Sequence, residues 1–81
     1  MQIDDFMNLI QNGFDVSFNY KDVFYTISLI EENDYGNKYG IGSDNGFVAD
    51  FKSLDEIPEF VLDDKSIKDI ISNLPEEEIY Y

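Results

Sequence analysis

The run Phe14-Asp15-Val16-Ser17-Phe18-Asn19-Tyr20-Lys21-Asp22-Val23-Phe24-Tyr25-Thr26-Ile27-Ser28-Leu29-Ile30 reads as two β-strands joined at Lys21-Asp22. In its first half Phe14, Val16, Phe18 and Tyr20 alternate with Asp15, Ser17 and Asn19, the period of two expected of a half-buried strand. Its second half, Val23 to Ile30, is rich in aromatic and β-branched residues, so the two halves predict an antiparallel hairpin. Tyr25, Ile27 and Leu29 share one face of the second strand, and Phe24 and Ile30 share the other with Thr26 and Ser28. Apolar residues on both faces predict a central strand.

Working outward, Ile3, Phe6, Met7, Leu9 and Ile10 recur at helical spacing and predict a helix over about 4 to 12. Asp4 and Asp5 fall in its first turn, where carboxylates suit the helix dipole, and Gly13 supplies a stop. On the other side, Glu31 to Asn37 reads as a polar loop and Lys38 to Gly42 resumes an extended pattern. Asp44-Asn45-Gly46 is a turn signal, after which Phe47 to Phe51 predicts a fourth short strand. Ser53-Leu54-Asp55-Glu56 fits a capping box for a short helix that Pro58 interrupts near Phe60. Ile67, Ile70, Ile71 and Leu74 predict a last helix, capped by Asp63 or Asp64 and stopped by Pro75, with Asp64–Lys68 and Lys65–Asp69 as pairs one turn apart. Residues 75–81 read as a frayed acidic tail. The fold expected is α+β: one domain over 1–81, with a three- or four-stranded antiparallel meander sheet. An N-terminal helix and two C-terminal helices pack on one face of it.

Composition narrows the chemistry. The 81 residues include 18 Asp plus Glu and 5 Lys, with no Arg, His or Cys, for a net charge of −13. Disulfides, thiolate or imidazole catalysis, a zinc site of Cys and His, and arginine clamps are all excluded. An EF-hand loop needs Gly at its sixth position, and counting from Asp34 or Asp44 finds Tyr39 or Ala49 there, so no metal site is predicted. The glycines of Gly36 to Gly42 lack nucleotide-binding spacing and predict no cofactor. Repulsion from phosphate argues against direct nucleic-acid binding and against an anionic membrane, and no apolar run is long enough to span one. A cytoplasmic, non-enzymatic protein is expected.

Thirteen net charges on a surface of roughly 5,000 Å² give about one per 400 Å², whereas duplex DNA carries roughly one per 100 Å². Mimicry therefore requires the acids to gather. Candidate clusters are Glu31, Glu32 and Asp34; Asp44 and Asp50; and Asp55 and Glu56 with Glu59. If they share an edge they make one anionic strip, with Tyr35 and Tyr39 as exposed aromatic anchors for a protein partner.

The opening Met1-Gln2-Ile3-Asp4-Asp5-Phe6, the hairpin, the stretch Asp34-Tyr35-Gly36-Asn37-Lys38-Tyr39 leading into a strand, and the acidic helical end together resemble the small type II-A anti-CRISPR proteins of prophages. The resemblance covers roughly residues 1–60 in order and charge. It implies a helix, a three-stranded antiparallel sheet and further helices, and blockade of the DNA-reading site of a guide-RNA nuclease by acidic side chains. The function expected is a phage anti-defence inhibitor that binds a basic nucleic-acid-binding surface by DNA mimicry. Two other readings use the same composition: an immunity protein covering a basic toxin, and an adaptor whose charge serves solubility alone.

Overall fold

The computed structural model describes all 81 residues. In chain order these form α1 (Ile3–Gln11), β1 (Val16–Tyr20), β2 (Val23–Asn33), β3 (Gly36–Ser43), β4 (Gly46–Phe51), a 3-10 turn (Leu54–Glu56), β5 (Val61–Leu62), β6 (Lys65–Ser66), α2 (Ile67–Asn73), a second 3-10 turn (Glu76–Glu78) and β7 (Ile79–Tyr80). Five strands make one antiparallel sheet in the order β4-β3-β2-β1-β7, and β5 and β6 pair separately. The α+β class and the meander of β1 to β4 agree with the expectation.

Four details differ. The tail is not frayed: β7 pairs with β1, setting Ile79 against Phe18 and burying it. Only two helices form, because the segment at Ser53 closes as a single 3-10 turn before Pro58, which has no N–H to extend it. Glu56 still caps that turn, its carboxylate accepting the amides of Lys52 and Ser53 at 2.6 and 3.2 Å. The cap of α2 is Ser66, whose hydroxyl accepts the Asp69 amide at 3.2 Å, while Asp63 and Asp64 occupy the β5–β6 turn. Asp64 consequently pairs with Lys21 instead of Lys68, and Lys65 lies outside α2. Finally, β1 begins at Val16, leaving Phe14 exposed, and β2 runs on to Asn33, so the expected polar loop is the end of a long hairpin turning at Asp34-Tyr35.

The core lies on one side of the sheet. Val16, Phe18, Ile27, Tyr39, Ile41, Phe51 and Ile79 meet Phe6 and Ile10 of α1, Ile67, Ile70 and Ile71 of α2, and Ile57 and Leu62 between them. Each such side chain contributes about 1.5–3 kcal/mol by leaving water. The helical layer covers this inner face only.

Candidate functional site

Every one of the eighteen carboxylates is exposed. Three of them reach a lysine within 4 Å, through Lys21–Asp63 at 2.7 Å, Lys21–Asp64 at 3.1 Å and Lys38–Asp50 at 3.0 Å. Tyr20 also donates to Asp64, so one lysine and one tyrosine tie the β1–β2 turn to the β5–β6 turn. These bonds act on protonation. The Tyr20 hydrogen bond holds the Asp64 carboxyl below its ordinary range, Asp64 in return raises the Tyr20 hydroxyl, and Asp63 and Asp64 raise the Lys21 ammonium. Hydrogen bonding to Asp50 raises Lys38 likewise. Both are exposed structural clasps, screened by solvent and therefore weak.

The expected strip does not form. Glu31, Glu32 and Asp34 do lie at the end of the β2–β3 hairpin, with Tyr35 fully exposed beside them, but strand alternation turns Glu31 and Glu32 to opposite faces. The same shallow depression holds Glu31 together with Lys38 and Lys52, so the charge there is mixed. Asp44 lies in the turn at the opposite end of β3, on the order of 25–30 Å away at about 3.4 Å per residue. Asp50 is held by Lys38, and Glu56 is occupied as a cap. Tyr39 is no exposed anchor: it faces the core at 5% exposure, between Leu29 and Phe51 across the sheet.

A gathering does exist elsewhere. One depression beside α1 is lined by Asp4, Asp55, Glu59 and Lys68 around Ile3, Met7, Leu54 and Pro58. On the other flank of the same helix, Asp5 and Glu76 line a second depression with Asn8, Leu9, Asn12 and Tyr81. Adjacent in sequence, Asp4 and Asp5 therefore join acids from two remote segments into a band across the start of α1. Lys68 is the one lysine lining either depression. Of the acids in the expected clusters, only Asp55 and Glu59 belong to this band. Asp4 and Asp5 are readable as helix-dipole partners, which hides their second role; the sequence signal for the band is that acids head or follow every segment of the helical layer.

No group of three or more His, Cys, Asp or Glu is placed to hold a metal ion, and no buried side-chain polar atom lacks a partner. No helix is long and apolar enough to cross a membrane. The arrangement offers charge and shallow relief, with no enclosed cleft. Comparison of the chain with family models, with curated proteins and with solved structures finds no match.

Proposed function

We infer that the protein is a non-enzymatic acidic inhibitor that occupies a basic, nucleic-acid-binding surface of another protein, in the manner of a phage anti-defence factor. The observation that carries this reading is the band at α1, where Asp4, Asp5, Asp55, Glu59 and Glu76 come together from three parts of the chain. Averaged over its 5144 Å² surface, the net charge of −13 is about one per 400 Å², too dilute to imitate a duplex. The band is where acids from separate segments meet. Carboxylates there stand in for phosphates, and Ile3, Met7 and Leu54 offer an apolar floor for the stems of lysine or arginine.

The test is capture of a partner from host lysate, followed by challenge with duplex DNA and with salt. Duplex DNA is expected to displace the protein, and affinity is expected to fall by at least tenfold between about 50 and 200 mM salt, since phosphate-like contacts are lost in that range. The triple substitution Asp4→Asn, Asp55→Asn, Glu59→Gln is expected to abolish capture while leaving the circular dichroism spectrum unchanged. A partner that stays bound through both challenges overturns mimicry.

A further inference from the structure

The outer face of the sheet carries a second surface. One cross-strand row runs Phe47, Gly42, Thr26, Ser17 and Tyr80, one residue from each of β4, β3, β2, β1 and β7. Its two ends are large and exposed and its three middle members are small. The Ser17 and Thr26 hydroxyls bond each other at 2.8 Å and so stay flat on the sheet. Two residues along β2 on one side stands Phe24, its ring centroid 6.0 Å from that of Tyr80. On the other side Ile30 leans across β3 and covers Gly40, where an added Cβ would lie 2.0 Å from the Ile30 Cδ1. The result is a shallow basin floored by Gly42, Thr26 and Ser17 and rimmed by four apolar side chains. Their exposures are 72% for Phe47, 53% for Ile30, 50% for Tyr80 and 36% for Phe24. Large apolar side chains left exposed on one face of a sheet in this way mark an interaction surface.

Charge selects its occupant. Asp22 and Asp44 sit in the two turns at one end of the strands with no lysine paired to either, whereas at the other end Lys38, paired to Asp50, and Lys52 offset Asp50 and Glu31. A second copy, itself at −13, would meet net repulsion, whereas a cationic partner complements the border of Asp22 and Asp44. The row spans four inter-strand spacings, about 19 Å, which matches about 13 residues of α-helix. The inner face of this sheet already shows what its geometry accepts, a layer of helices. We propose that the basin docks a basic amphipathic helix of a partner protein, its apolar stripe against Phe24, Phe47, Ile30 and Tyr80 and its flanking lysines or arginines toward Asp22 and Asp44. This surface is separate from the acidic band, so the two readings fail independently.

The experiment is an amide NMR titration of the full chain with three synthetic helical peptides: one with an apolar stripe bordered by lysines, a scramble of it with equal charge, and the striped peptide with glutamine for every lysine. The striped basic peptide is expected to shift the Ser17, Thr26, Ser28 and Gly42 amides and to bind at least tenfold more tightly than either control. Phe24→Ser with Phe47→Ser is expected to remove that preference, with the rest of the spectrum unchanged. Equal binding by striped peptide and scramble overturns the proposal, as does equal binding by the glutamine peptide. Concentration-dependent self-association that broadens the same amides assigns the basin to a second copy and also overturns it. None of these outcomes bears on displacement by duplex DNA, which tests the band.

Discussion

Val16, Phe18, Ile27 and Ile41 on the inner face of the sheet are buried almost completely, whereas Phe24, Ile30, Phe47 and Tyr80 on the outer face of the same five strands stay in solvent. The side chains are similar in kind; the difference lies in what covers them. With two α-helices of nine and seven residues, the chain has material for one layer and no more. Apolar character on both sides of β2 therefore reports two separate facts. Toward the helices it is core, and away from them it is surface held available.

The largest effect that tests this contrast comes from paired truncations. Phe18→Ala is expected to cost about 3–5 kcal/mol in urea unfolding, enough to unfold much of so small a domain, and Phe47→Ala less than about 0.5 kcal/mol. Similar losses at both sites would mean the outer face is core after all. A smaller separation is expected within β7, where Ile79 points inward and Tyr80 outward. Ile79→Ala should cost about 2–5 kcal/mol and open the β1 amides to hydrogen exchange, and Tyr80→Ala should stay within about 1 kcal/mol. No loss at Ile79 would detach the last strand from the inner face. The smallest effect sharpens the outer face itself: Gly40→Ala should displace Ile30 from its rotamer at about 0.5–1.5 kcal/mol, and the same change beside Ile30→Ala should be neutral or stabilising. If the two changes simply add, Ile30 does not lie over Gly40.

Much of the fold was legible before any coordinates. The spacing of Ile3, Phe6 and Ile10 located α1, and the alternation from Phe14 to Tyr20 located β1, because each pattern follows from one local period. The end of β2 was not legible, since Glu31, Glu32 and Asn33 are poor strand formers and pair only because Lys38, Asn37 and Gly36 lie opposite. Nor was β7, two residues whose partner is 63 positions away at Ser17. Tyr39 could have been read correctly, for Tyr39 and Ile41 alternate with Gly40 and Gly42 and only one of those sets can face a core. The failed strip has a topological cause. Successive turns of a meander fall at opposite ends of the sheet, so the clusters at Asp34 and Asp44 were separated by connectivity itself. The band at α1 was illegible for the converse reason, that it depends on how remote segments pack.

The pairing of Ser17 with Tyr80 also fixes an order of events during synthesis. A ribosome adding about 5–20 residues per second needs several seconds to travel from one to the other. Until then β1 presents a free edge with Phe18 beside it, the template on which nascent chains aggregate. Acids are already plentiful by that stage, with Asp4, Asp5, Asp15 and Asp22 all made before β2 is complete. Mutual repulsion between growing chains opposes pairing at that open edge.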